Sequence, residues 1–250
     1  MNLHNISPNS MHTRILTPEL MDDPGLDPAK HRQALAGLAR LNAWSGGTGL
    51  LWKALRKMAI QAGRPLFVLD VATGSGDVPV ELAQRAKRAG LALHFSGCDV
   101  SDTALSAARE NAQQAEVELN VFQHDVLNSP LPGGFDVILA SLFLHHLTDE
   151  QAVALLHDMG RAATHAVIVS DLVRSRLNLA VVFAASRLLS RSPIVHFDGP
   201  ASVRAAYTCA EARGLAARAG LSDSTVAVHY PTRWLLTWRK HHDPSADHST

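Results

Sequence analysis

The stretch Val68-Leu69-Asp70-Val71-Ala72-Thr73-Gly74-Ser75-Gly76-Asp77 constrains the fold of this chain more than any other. Phe67, Val68 and Leu69 are an apolar run of strand length, and Asp70 stands where that strand ends. Gly74 and Gly76 permit a sharp turn and a close approach of backbone to ligand. Asp77-Val78-Pro79 then opens a helix, with proline tolerated in its first turn, and Val80, Leu82, Ala83 and Ala86 give that helix one apolar face. Such a strand–turn–helix unit sets backbone N–H groups beside a small polar ligand. The glycine order is not the G-x-G-x-x-G of dinucleotide sites, and an acidic residue precedes it.

The following segments repeat the alternation of strand and helix. Leu91 to Asp99 reads as a second strand, ending in a carboxylate at the offset of a ribose-binding residue, with Ser101 or Asp102 capping the next helix. Val117 to Gln123 is a third, followed by His124-Asp125-Val126; Phe135 to Ser141 is a fourth; Ala166 to Ser170, ending in Asp171, is a fifth. Alternating strands and helices predict an α/β, doubly wound, mostly parallel sheet whose ligands lie beyond the carboxyl ends of the strands. Asp70, Asp99, Asp125 and Ser141 fall at those ends. Ser224 to Tyr230 and Trp234 to Trp238 add two strands, for seven in all.

With 23 basic and 23 acidic side chains the formal net charge is zero, which argues against a nucleic-acid partner. Cys98 and Cys209 form neither a disulfide framework nor a zinc pattern, and no metal is expected; a reducing cytoplasm fits. Residues 1–20 lack a continuous apolar core and read as a disordered or loosely docked arm, and the histidine-rich residues 241–250 as a solvated tail. Residues 21–240 are expected to form one domain. Leu177 to Leu189 is apolar, too short to span a bilayer, and flanked by Arg174, Arg176, Arg187 and Arg191. It can be a core helix, a lid over an apolar substrate, or an interfacial helix held by arginines.

Asp70 to Asp77 resembles motif I of class I S-adenosylmethionine (SAM)-dependent methyltransferases, with Ala72 at the first glycine, and is most like the ubiquinone/menaquinone-biosynthesis (UbiE-like) group. Ser141-Leu142-Phe143-Leu144-His145-His146-Leu147 resembles that group's segment after the fourth strand. Glu19 to Pro24, Ser170 to Ser175 and His196 to Pro200 resemble methyltransferases encoded beside type III polyketide synthases. The resemblance implies a Rossmann-like fold with an N-terminal helical cap (27–62), a lid insertion (about 172–206) and a final antiparallel strand.

It further implies that Asp70, Ala72, Thr73, Gly74 and Gly76 hold the methionyl end of SAM. Asp99 would take the ribose hydroxyls, Val100, Asp125 and Val126 the adenine, and Ser141 would lie near the sulfonium. Turn and cap roles remain open for Asp125 and Ser141. The product would be S-adenosylhomocysteine (SAH). The acceptor would be a small aromatic of secondary or quinone metabolism, a phenol, resorcinol or quinol that can carry an alkyl chain, methylated on oxygen or carbon. A peripheral membrane contact and a homodimer are compatible with this. The alternatives are a non-catalytic SAM-binding regulator and, with less support, an RNA or protein methyltransferase.

A phenol benefits from a base, and histidine is the usual one near neutral pH. His146 is the first candidate and His145 the second; at helical spacing only one should face the site. His196, with Asp198 in a loop, is the rival. Arg174 and Arg204 are candidates for an anionic acceptor, and Tyr207 for a hydrogen bond to a phenolic oxygen.

Overall fold

The computed structural model describes residues 11–22, 25–229 and 231–240. In chain order the elements are α1 (Pro28–Trp44), α2 (Gly47–Ala62), β1 (Leu66–Val71), α3 (Asp77–Ala89), β2 (Leu93–Asp99), α4 (Asp102–Gln114), β3 (Asn120–Gln123) and β4 (Phe135–Ser141). There follow α5 (Asp149–Ala162), β5 (Ala163–Leu172), α6 (Arg176–Leu189), α7 (Pro193–Ala205), α8 (Cys209–Arg218), β6 (Thr225–His229) and β7 (Arg233–Arg239). One seven-stranded sheet has the order β3-β2-β1-β4-β5-β7-β6. The first five strands are parallel, and β7 runs antiparallel to both β5 and β6.

Side chains alternate across a strand, so each central strand feeds two cores. Leu69, Val71, Ile138, Ala140, Val167 and Val169 face α5 and α8, against Leu155, Leu156, Met159 and Leu215. Val68, Val137, Leu139, Ala166 and Ile168 face α2 and α3, against Leu51, Leu55, Met58 and Leu82. Thus α2, expected as part of a cap, is a layer on the sheet, because its apolar stripe meets the sheet's own.

Above the carboxyl end of β5 lies a helical cap of α1, α6 and α7, joined through Leu41, Leu172, Val182, Ala185, Val203 and Ala206. The inner side of α6 carries Val182 and Ala185, while Leu177, Phe183 and Leu188 face outward. No described helix is long and apolar enough to cross a membrane.

The sequence placed His196 and Asp198 in a loop; they lie within α7. Gly199 and Pro200 are helix breakers by propensity, but α7 is buried on most sides and packing overrides them. Residues 1–10 and 241–250 lie outside the described residues. Residues 11–20 are tied to the body: Ile15 N donates to Arg204 O at 3.2 Å, and the Arg14 guanidinium lies 3.8 Å from the Tyr207 ring centroid.

Candidate active site

One cavity of about 1000 Å³ opens over the carboxyl ends of the parallel strands. Its floor is the turn after β1. Ala72, Gly74 and Gly76 all have positive φ, of 54°, 56° and 73°. A Cβ on Gly76 would stand 2.9 Å from Cβ of Ala108, so α4 packs too close for any side chain there. Ala72 bears its strain without glycine's freedom. A left-handed L-residue costs about 1–2 kcal/mol, and glycine's extra unfolded entropy returns about 0.5–1 kcal/mol of any gain. Ala72→Gly is therefore expected to stabilise the protein by about 0.5–1 kcal/mol in urea unfolding; a loss of stability would mean that the methyl group's packing outweighs the strain.

Asp70 is buried at the end of β1. Its Oδ2 accepts the Thr73 hydroxyl at 2.7 Å, while Oδ1 is buried with no partner. Burial pushes its pKa up to about 7, against the pull of the Thr73 hydroxyl and with help from the Asp99 charge. An orphaned carboxylate oxygen at a cavity wall fits an ammonium group. At the end of β2, Asp99 accepts from Gly74 N at 2.9 Å and Ser101 N at 3.0 Å, which fixes its carboxylate beside the turn with lone pairs to spare.

The far wall is apolar and open. Val100 is 63% exposed and Leu127 42%, and both line the cavity with Val126. Exposed apolar side chains at a cavity mouth suit a flat aromatic base. Asp125 lines the same end, but its Oδ1 accepts from Leu127 N and Asn128 N and its Oδ2 from Asn128 Nδ2. It is a turn-forming aspartate held below the usual carboxylate range by those bonds, with the Asn128 side chain first. Ser141 ends β4 and lines the cavity; it caps no described helix.

The opposite half of the cavity belongs to the cap. Leu142, with φ of 56°, turns the chain after β4 into a single 3₁₀ turn, Leu144–His146. In that turn both histidines line the cavity, their ring centroids 4.2 Å apart. The expectation that only one could face the site fails, since both rings line the one cavity. His145 is buried: its Nδ1 meets Asp171 Oδ1 at 2.7 Å, and its Nε2 stands 3.6 Å from Glu19 Oε1. Asp171 Oδ2 also accepts from His145 N at 3.1 Å. Burial opposes a charged imidazole here, but Asp171 and then Glu19 outweigh it and hold the His145 pKa up at about 10. His146 Nε2 lies 4.0 Å from the same Glu19 oxygen. Glu19, His145 and His146 place their ligand atoms within 4.8 Å of one another, a set that could gather a cation, although the His145 imidazolium already lies between its two carboxylates.

The other candidates lie elsewhere. His196 is absent from the cavity lining, and its Nε2 sits 2.8 Å from Ser190 O. Asp198 does not orient it, because its carboxylate accepts from Leu20 N and Met21 N. Arg174 is a buried strut joining Met11 O, Ala206 O and Glu211, and is neither solvated nor a substrate group. Arg204 meets Pro200 O and is likewise absent from the lining. The Tyr207 hydroxyl donates to Leu147 O and Asp149 beneath the site. Glu19 and Asp171 were missed as functional groups. Both lay within segments that carried a family resemblance, but nothing local in the sequence joins them.

Residues 68–165 match the family model described as "Methyltransferase domain". The chain is 35% identical over 80 residues to the ubiquinone/menaquinone biosynthesis C-methyltransferase UbiE of Bradyrhizobium diazoefficiens, covering 31% of this chain and 30% of that one. It is 30% identical over 115 residues to the demethylmenaquinone methyltransferase of Thermus thermophilus, covering 45% and 50%. The chain thus spans half or less of the length of these relatives. Its fold is similar to that of the plantazolicin methyltransferase BpumL, solved with a triazolic desmethylPZN analogue and SAH, at a TM-score of 0.65 and 15% identity over 86% of this chain and 92% of that one.

Proposed function

We propose that the chain is a class I SAM-dependent methyltransferase that methylates the oxygen or carbon of a small phenolic acceptor; the family-model match over residues 68–165 and the UbiE and demethylmenaquinone methyltransferase relatives support this reading. The carrying observation is that one cavity joins two unlike halves. One presents the orphaned Asp70 carboxylate and an apolar slot; the other presents a charged histidine clamped between two carboxylates. Bound SAM supplies an electrophilic methyl group on a sulfonium.

The residues then divide the work. Asp70 takes the ammonium at its unpaired Oδ1, and the backbone from Ala72 to Gly76 cradles the rest of the methionyl group. Asp99 accepts from the ribose hydroxyls, while Val100, Val126 and Leu127 cover the purine. The acceptor's hydroxyl meets His145 Nε2. His145 Nε2–H donates to the phenolic oxygen, and a hydrogen bond to the charged form favours that form, so the phenol's pKa falls there although the two carboxylates oppose the shift. Glu19 and the partly exposed His146 lead its proton outward. An aryl oxyanion activates both its oxygen and the ring carbons beside it, which is why one site serves either product. The cap excludes water and aligns the nucleophile, and alignment contributes much of the rate gain.

The apolar cap lining, with Met21, Leu35, Leu38 and Val182, supports an acceptor with an alkyl or second-ring extension. The outward Leu177, Phe183 and Leu188 of α6, in a stretch with no acidic residue between Asp171 and Asp198, support a peripheral lipid contact. Methyl-labelled SAM offered with a panel of phenols, resorcinols and quinols tests the proposal; label in an organic-extractable product is the expected result. Asp99→Ala should weaken SAM binding by about 1.5–3 kcal/mol, the scale of hydrogen bonds to a charged group. Unchanged affinity in calorimetry would remove the ribose assignment.

A further inference from the structure

Arg233 opens β7 and is 2% exposed, yet it lines the cavity. Its Nη2 donates to two neutral groups, Ser45 Oγ at 2.7 Å and Asn42 Oδ1 at 3.5 Å. Its Nε and Nη1 have no partner. The nearest anion by strand register is Asp171, but that carboxylate is committed to the ring and backbone of His145 and to Leu172 N. Space has been made for the guanidinium, since a Cβ on Gly47 would lie 2.7 Å from Arg233 Cζ. The Asp171 charge acts on the guanidinium with no hydrogen bond between them, and a buried planar fork with unused donors matches a carboxylate. We infer that Arg233, with Ser45 and Asn42, is a carboxylate subsite for the acceptor, so that the substrate class is a hydroxylated aromatic acid.

The position favours the acceptor over the methionyl carboxylate of SAM. In the sheet order, β7 stands three strands from β1, by way of β4 and β5. At about 4.8 Å per strand that is about 14 Å from the strand that carries Asp70. The same register sets Arg233 opposite Leu172, next to the Asp171 that holds His145. Arg233 and His145 line the same cavity, so a carboxylate on Arg233 would orient a ring whose hydroxyl meets His145. The inference rests on the proposal that this cavity is the methyl-transfer site.

The test is calorimetry on the protein saturated with SAH, comparing 2,4-dihydroxybenzoate with resorcinol and salicylate with phenol. SAH binding is measured first, and its failure would count against the cavity as a SAM site rather than against the subsite. The wild type should bind the carboxylated member of at least one pair tenfold or more tightly. Arg233→Gln should reduce that preference to threefold or less, and Arg233→Lys should keep part of it, having the charge without the fork. No carboxylate preference in the wild type would overturn the subsite, and this arm needs no variant to fold. So would a preference that survives Arg233→Gln. So, too, would a loss in Arg233→Gln confined to SAM affinity, which would assign the cation to the methionyl group.

Discussion

Replacing His145 with alanine is expected to lower turnover by about 10²–10³-fold, the loss seen when one group that stabilises a developing oxyanion is removed. SAM affinity should hardly change, because His145 stands on the cap side of the cavity. The geometry explains why the ring matters as a cation. Asp171 grips Nδ1 at 2.7 Å and Glu19 stands 3.6 Å from Nε2, so the imidazole stays charged up to about pH 10. Turnover should rise as the bound phenol ionises and fall again as His145 loses its proton near pH 10. Asp171→Asn removes one of the charges that raises the His145 pKa, so it should move that alkaline limb to lower pH. His146→Ala should cost less, since His146 only relays protons. A wild-type rate in His145→Ala, or a larger loss in His146→Ala, would transfer the role.

SAM affinity is expected to fall by up to tenfold for each pH unit below 7. The cause is Asp70, whose carboxyl burial pushes up to about 7 in the free protein. Only the ionised form pairs with an ammonium. Below pH 7 the free carboxyl is mostly protonated, so binding must expel that proton; above pH 7 no such cost remains. Between pH 7 and pH 5 the affinity should drop about fiftyfold, half the carboxyl being protonated already at pH 7. Calorimetry in two buffers of different ionisation enthalpy would show the released proton directly. Asp70→Asn should bind SAM more weakly and with a flat profile across that range. A dissociation constant for the wild type that does not vary between pH 5 and 7 would remove Asp70 as the ammonium partner.

What the sequence revealed and what it hid follow a physical line. The β1 turn and the acidic strand ends were legible because each depends on residues adjacent in the chain, whereas the antiparallel last strand came only from the family resemblance. Phe135 to Ser141 was placed to the residue, since the apolar run is bounded by Pro132-Gly133-Gly134 on one side. The acceptor side was not legible, because it is assembled across the molecule. Glu19 reaches His145 only after the N-terminal segment docks on α7. The two histidines both line the cavity where the chain turns after Leu142, whose left-handed conformation a side-chain pattern does not announce. Arg174 and Tyr207 have the chemistry of ligand-binding groups, but burial made them struts. Arg233 was not legible either, because what marks it is a pair of buried donors, Nε and Nη1, that the fold leaves without partners.

The proposed methyl transfer requires SAM as the ligand of the Asp70–Asp99 half of the cavity. Isothermal titration at pH 8 with SAM and, separately, with NAD tests this most directly. Micromolar binding of SAM, no heat with NAD, and weakened SAM binding in Asp99→Ala are the predicted results. No heat with SAM at any concentration up to millimolar would contradict the account, and the cavity over these strand ends would then belong to another ligand.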